Sequence, residues 1–324
     1  MPDLFPQRPA WQPVISVVVP ACNEAAGLDA FHQRLAAALE GQENWEVIYV
    51  DDGSTDATLT VMRALQAADD RVGVLSLSRN FGKETAITAG LDHAAGDAVV
   101  VIDADLQDPP ELIPALVAEW RAGYDMVAAR RRSRAGETWL KRWTAHAFYR
   151  LARGMGDVRL PEDTGDFRLL SRRAVNAVGQ LREHHRFMKG VFAWVGFPTT
   201  FVPYDRACRS TGVSKWTYWR LWNLALEGIT SFTVMPLKCA TYLGLGVAAL
   251  AGVYALQVIV KTLVIGNPVA GYPSLMTVVL FLGGVQLMFL GVIGEYLGRV
   301  FNETKQRPLY LVQHYAPSAV RIDR

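Results

Sequence analysis

The sequence predicts an α/β protein: a mostly parallel sheet with helices on both faces, followed by membrane-interface helices and two transmembrane helices. Three observations predict it. Residues 14 to 130 alternate short Val- and Ile-rich runs with amphipathic stretches of helical length, the pattern of buried strands joined by crossover helices. Residues 239–260 and 273–294 contain no Asp, Glu, Lys or Arg, and each has about the 20 residues that a helix needs to cross a bilayer. The link between those runs, KTLVIGNPVAGYP, is short, so the two read as a membrane hairpin.

Taken in order, VISVVVP is the first strand and Gly27 to Leu39 the first amphipathic helix. WEVIYV is the second strand, followed by DDGSTD and a helix from about Asp56 to Ala67. RVGVLSLS is the third strand, with a helix from about Glu84 to Ala94 behind it. DAVVVID is the fourth, before a helix opened by Pro109 and Pro110, and YDMVAAR is the fifth. Residues 214–232, SKWTYWRLWNLALEGITSF, carry Trp216, Trp219 and Trp222; tryptophan favours the headgroup region, so this stretch reads as a helix lying on the membrane surface. The expected divisions are 1–205 catalytic, 206–236 interfacial, 237–299 membrane hairpin and 300–324 tail.

The remaining bulk features narrow the class. The 324 residues allow a large core and more than one structural unit, and the net charge of +2 argues against a nucleic-acid partner. Cys22, Cys208 and Cys239 lack metal-site spacing and read as reduced thiols. The opening MPDLFPQRPAWQP has no basic stretch followed by an apolar one, so no signal peptide is expected. Lys215, Arg220 and Lys238 precede the hairpin and Arg299, Lys305 and Arg307 follow it, whereas the link holds only Lys261. Basic residues stay cytoplasmic, which puts both termini inside and the link outside. Gly244, Ala248 and Gly252, like Gly294 and Gly298, recur every four residues. Close helix packing and the ordinary abundance of small residues in membrane helices both account for them.

Four strands end in polar clusters on one edge of the expected sheet: Pro20 to Glu24, Asp51 to Ser54, Arg79 to Lys83, and Asp103 to Asp105. Ligands bind beyond the carboxyl ends of strands in such sheets. The segment VVVIDADLQDPPE runs from an apolar strand into Asp103, Asp105, Asp108 and Glu111. Such acids serve either as turn formers or as hard oxygen ligands for Mg²⁺ or Mn²⁺. In extended backbone Asp103 and Asp105 would point to opposite faces, so the second reading needs a bend. No GxGxxG follows the first strand and no phosphate-binding GxxxxGK[ST] motif occurs.

VPACNE, DDGSTD, RNFGKETA, DADLQDPPE and TGDFRLL together resemble the family 2 glycosyltransferases with a GT-A (Rossmann-like) fold. More closely they resemble the polyprenyl-phosphate glycosyltransferases, the group that includes the bactoprenol glucosyltransferases and dolichyl-phosphate mannose synthases. Two spans followed by GEYLGRVFNETKQRPLYLV are similar to the bactoprenol branch. The resemblance implies inverting, metal-dependent transfer of a sugar, glucose by analogy, from a UDP-sugar to polyprenyl (undecaprenyl) phosphate at the cytoplasmic face of the inner (plasma) membrane. It implies that Pro20, Asn23 and Glu24 line the nucleoside pocket, that Asp52 accepts a hydrogen bond from the base, and that Asp51 supports its loop. Gln107 joins the donor site, and Lys83 neutralises phosphate or positions the donor. Asp103 and Asp105 hold Mg²⁺ or Mn²⁺ on the diphosphate. Asp166 is the base at the acceptor, and Arg209, Ser214 and Lys215 meet the acceptor phosphate. A homotetramer is implied too, with the tail from about Asn302 to Tyr315 on a neighbour, and a lipid-sugar flippase is a possible partner. The run Arg130, Arg131, Arg132 and Arg134 suits anionic headgroups and suits a solvated face equally. Alternatives are another donor (GDP-mannose, UDP-aminoarabinose or a UDP-N-acetylhexosamine) and a non-enzymatic nucleotide-sugar binder. A processive polysaccharide synthase fits poorly, since its QxxRW motif would have to be WLKRW at 139–143, with Trp139 in place of Gln.

Overall fold

The computed structural model describes residues 14–41, 44–132, 164–184, 186–205, 235–265 and 271–320. Strands β1 (Ile15–Ala21), β2 (Trp45–Asp51), β3 (Val72–Leu77) and β4 (Ala98–Val101) are parallel and alternate with helices α1 (Ala25–Ala38), α2 (Thr58–Ala68) and α3 (Lys83–His93). Every residue of these four strands is buried, as expected of β-branched runs covered on both faces. Helix α4 (Ile113–Arg121), behind a turn of 3₁₀ helix at Pro110–Leu112, leads to β5 (Met126–Arg131).

The second half adds elements that apolar alternation does not announce. β6 (Thr164–Ser171) lies between β4 and β5 and runs antiparallel to both. Helices α5 (Arg172–Gln180) and α6 (Met188–Val195) follow, and β7 (Thr199–Tyr204) pairs parallel to β5 at one border. At the other border β8 (Val312–Ala316), from the tail, pairs antiparallel to β3. The order is β7-β5-β6-β4-β1-β2-β3-β8.

Pleating divides the core between the two faces. Val17 and Val19 join Leu28, Phe31, Leu35, Met62 and Leu116 on one side, while Val18 joins Ile87, Leu91, Val175 and Phe192 on the other. Leu28, Phe31 and Leu35 form one stripe of α1, each contributing about 1.5–3 kcal/mol by burial. Gly90 allows α3 to press on the sheet: a Cβ there would lie 2.2 Å from Val18 Cγ1.

Beyond the sheet stand two long helices, α7 (Met235–Ile265) and α8 (Tyr272–Thr304), which pack on each other. Many of their described apolar side chains, among them Leu243, Leu250, Leu263, Phe281 and Leu287, are exposed. Within α8, Phe281–Thr304 is long and apolar enough to cross a membrane, ten residues later in its end than the span read from the uncharged run, because the charged last turns continue the helix. The tail pairs with its own sheet. Ser78 N–H donates to Leu311 O at 2.9 Å and Ala319 N–H to Asp70 O at 2.7 Å, because the open edge of β3 supplies unpaired backbone groups to the same chain.

Candidate active site

The parallel strands β1–β4 end on one edge, and the loops there are tied together by backbone-directed side chains. Asn23, at φ 58°, accepts from Thr55 N–H at 2.9 Å and Asp56 N–H at 3.3 Å, and its own N–H donates to Ser54 Oγ at 3.1 Å. Asp51 accepts from Ser54 N–H at 3.1 Å and Ser76 Oγ at 3.2 Å, so it supports its loop. Buried Asp52 accepts from Phe81 N–H at 2.7 Å and Gly82 N–H at 2.9 Å. Burial raises its pKa, against those two N–H groups. Between them Gly53, at φ 64°, lets the loops touch: a Cβ would stand 2.4 Å from Asn80 N.

These loops frame a cavity of about 260 Å³, close to the lower bound for small-molecule pockets. Pro20, Glu24, Asp52, Lys83, Asp103 and Asp105 are among the residues that line it. The strand ends at Val101 and the chain turns at Ala104–Asp105; just beyond, Leu106 has φ 59°, and Asp105 Oδ1 accepts from Gln107 N–H at 3.1 Å. Gln107 is buried and contributes its backbone to this turn. The other two acids of the segment are structural. Asp108 accepts from the Tyr204 hydroxyl, and Glu111 takes two bonds from Arg34, both 2.9 Å.

Lys83 joins the cavity wall to Asp166. Its Nζ donates to Asp103 Oδ2 at 2.7 Å and to Asp166 Oδ2 at 2.6 Å. Register explains the meeting: Val101 pairs with Arg168 across β4 and β6, so two residues further along Asp103 stands opposite Asp166. Burial works against ionisation of both acids. At Asp103 burial prevails over Lys83 and the pKa is raised. At Asp166 burial is overcome by Lys83, Lys189 and Arg168, and the carboxyl is held below its ordinary range. Burial likewise lowers Lys83, but Asp166 and Asp103 reverse this and keep it charged.

Glu84, Arg168 and Lys189 escaped the sequence reading. Glu84 Oε2 accepts from Met188 N–H at 3.1 Å, and burial, then Asp166, raises its pKa. Buried Arg168 stacks on Phe192 at 4.0 Å and donates to Gly165 O at 2.7 Å. Two-residue spacing from Asp166 in a strand was the available signal for Arg168. Glu84 and Lys189 depend on the packing of α6 against α3, which no local pattern carries.

Arg209, Ser214, Lys215, Arg134, the stretch 214–232 expected as a membrane-surface helix, and WLKRW lie outside the described residues. Arg130 stands over Phe201 at 5.7 Å, Arg131 Nε donates to the Tyr204 hydroxyl at 3.3 Å, and Arg132 faces Asp205 at 3.5 Å. Because β5 and β7 are parallel, the chain leaves both at the edge where β1–β4 end.

Among the described residues no group of three or more His, Cys, Asp or Glu converges on one metal position. Asp103 and Asp105 nevertheless share the cavity wall, and Asp103 Oδ1 is buried without a hydrogen-bond partner. Two hard carboxylates with further ligands from a diphosphate suit Mg²⁺ or Mn²⁺, so the residues present fit such an ion.

A mostly parallel sheet whose carboxyl edge carries this acid-lined cavity, followed by two long apolar helices, one of them long enough to cross a membrane, is the architecture of a membrane-associated glycosyltransferase once the chain's relatives are set beside it. The chain belongs to glycosyl transferase family 2, whose model matches residues 16–179, and the GtrB C-terminal hairpin matches residues 235–300. It is 54% identical over 299 residues to an uncharacterized glycosyltransferase of Synechocystis sp., covering 92% of this chain and 94% of that one. It is 50% identical over 301 residues to the bactoprenol glucosyl transferase of Shigella phage SfV, covering 93% and 98%. The prophage bactoprenol glucosyl transferase homolog of Escherichia coli is 48% identical over 300 residues, covering 92% and 98%. Among solved structures, glucosyl-3-phosphoglycerate synthase from Mycobacterium tuberculosis in complex with Mn²⁺, UDP-glucose and phosphoglyceric acid is 23% identical, with 69% of this chain and 83% of that chain covered and a TM-score of 0.49.

Proposed function

We propose that this enzyme transfers glucose from UDP-glucose to a polyprenyl phosphate, with inversion, at the cytoplasmic face of the inner (plasma) membrane. The observation that carries the reading is the Lys83 bridge, which brings Asp103 of the donor edge and Asp166 into one centre beside the cavity. The names of the bactoprenol relatives support the sugar and the acceptor.

In this reading Pro20 and Glu24 receive the nucleoside, while Asn23, Asp51 and Asp52 hold the loops that shape its pocket. Asp103 and Asp105 would hold Mg²⁺ or Mn²⁺, which when bound stabilises the departing diphosphate. An acceptor phosphate oxygen forms the new bond to the anomeric carbon as the bond from that carbon to UDP breaks. The monoester has a second pKa near ~6, so it is mostly dianionic at neutral pH. Asp166, held in its ionised form by Lys83 and its cationic neighbours, orients the acceptor and takes a residual proton rather than creating the nucleophile. Arg209, Ser214 and Lys215 complete the phosphate contacts, and α7 and α8 both cross the bilayer.

The test is a donor screen with purified membranes and undecaprenyl phosphate. UDP-[¹⁴C]glucose should label the lipid fraction, and chelation should stop it until Mg²⁺ or Mn²⁺ is restored. Labelling from a different nucleotide sugar alone would move the enzyme to another branch, and UDP-glucose binding without transfer would favour the non-enzymatic binder.

A further inference from the structure

The end of α8 meets the catalytic domain at one histidine. His184 N–H donates to Glu303 Oε1 at 2.7 Å, Nδ1 lies 3.1 Å from Glu303 Oε2, and Nε2 lies 2.8 Å from Arg307 O. Three polar atoms of one residue are thus spent on the last turn of the apolar span and the start of the tail. A second grip sits beside it. Arg182 holds Asp92 through bonds of 2.7 and 2.9 Å, the Tyr310 hydroxyl donates to Asp92 Oδ2 at 2.8 Å, and His93 meets the ring of Tyr315 edge-on at 4.7 Å.

Both grips lead to the reaction centre. Asp92 and His93 close the 11-residue helix α3 that begins at Lys83, about 15 Å away at 1.5 Å per residue. His184 opens the segment that ends at Met188, whose N–H is bound by Glu84. The span end and the Lys83 bridge are therefore joined by one short helix and by one short hydrogen-bonded loop.

We propose that the Glu303–His184 contact is a positioning latch, fixing the catalytic edge relative to the bilayer so that the phosphate of a membrane-embedded lipid reaches Asp166. The proposal rests on the reading that the acceptor is a lipid phosphate. His184 and Glu303 are positioning residues, for neither lines the cavity. Their side chains keep 22% and 42% exposure, so an isolated ion pair here would contribute little. What distinguishes the contact is that it joins two bodies whose relative placement decides where the acceptor arrives.

The experiment uses the full-length enzyme in proteoliposomes, with His184→Ala, Glu303→Ala and the double variant. kcat/KM is measured with a long-chain polyprenyl phosphate in the bilayer and with a short, water-soluble polyprenyl phosphate, and thermal unfolding is followed in parallel. The latch predicts a loss of about tenfold with the embedded acceptor and less than about twofold with the soluble one, since misplacement rather than chemistry is at fault. The double variant should be no worse than either single, because the pair acts as a unit. Where an alanine variant fails to fold, Glu303→Gln, which keeps size and one acceptor oxygen, should show a smaller loss confined to the embedded acceptor. Equal losses on both acceptors, or none on either, overturn the latch alone. A wild-type enzyme active on neither acceptor overturns the lipid-phosphate reading and the latch with it.

Discussion

Lys83 balances the charge of the reaction centre. Without it, Asp103 and Asp166 would face each other as two carboxylates with no cation between them. Lys83→Met should lower kcat by at least about a hundredfold, as losses of a preorganised charged group do. Because 42% of the Lys83 side chain is exposed, water screens the pair and the stability cost should be only about 1 kcal/mol. Single-turnover transfer and thermal melts on the same preparation separate the two, and a variant with wild-type kcat would remove Lys83 from the centre. Gly53 makes a matching case at the donor loops. Gly53→Ala puts a side chain at φ 64° with its Cβ 2.4 Å from Asn80 N, a strain of about 1–3 kcal/mol. UDP affinity by calorimetric titration should fall by about tenfold, equivalent to 1.4 kcal/mol; unchanged affinity would detach these loops from the donor pocket. At this scale Asp103, Asp105 and Asp166 were legible as acids at expected places. The Lys83 bridge between Asp103 and Asp166 was not, since it needs the antiparallel register of β4 and β6 together with the placement of the start of α3.

Elements were legible where they repeat. Near-continuous Val- and Ile-rich runs mark β1 to β5, because burial on both faces demands apolar residues throughout. β6 was read as a motif, TGDFRLL, rather than a strand, since nothing local states which neighbour it pairs with. β8 escaped for the opposite reason: Val312–Ala316 is an edge strand with Gln313 and His314 exposed, so it needs little apolar patterning. One polar tie between elements yields its own prediction. His32 of α1 lies with Nδ1 3.0 Å from the Tyr49 hydroxyl of β2 and Nε2 3.4 Å from Asp69 Oδ2 at the end of α2. Burial lowers the pKa of His32, with Asp69 opposing. Below an unfolded value of about 6.5 the unfolded chain therefore binds more protons than the folded one. Stability contributed by neutral His32 is present above that pH and is lost as pH falls through it. Melting temperatures between pH 5 and 7.5 should slope upward with pH, and less steeply in His32→Gln; equal slopes would show that His32 titrates alike in both states.

For the whole molecule, the decisive fact is that the helix hairpin is inserted between two strands of one sheet. β7 ends at Tyr204, β8 begins at Val312, and both belong to the same eight-stranded sheet. A sheet occupies one side of a bilayer, since open sheet edges are not tolerated inside it. The chain between Tyr204 and Val312 must then cross an even number of times. Phe281–Thr304 is long and apolar enough to cross once. If it does, α7, with 31 residues and exposed Leu243, Leu250 and Leu263, has to supply the return. On this argument one crossing requires a second, and the excess of Lys and Arg outside the link predicts a cytoplasmic sheet. Cysteine labelling tests this. In a chain with Cys22, Cys208 and Cys239 replaced, a single cysteine is placed at Asn267 in the link or at Asp323 in the tail. A membrane-impermeant maleimide on intact cells should label Asn267→Cys and spare Asp323→Cys until the membrane is opened. Labelling of the tail alone would reverse the orientation. Identical protection of the two sites before lysis would mean that the hairpin does not cross, and α7 and α8 would then have to cover their apolar faces in some way other than by spanning lipid.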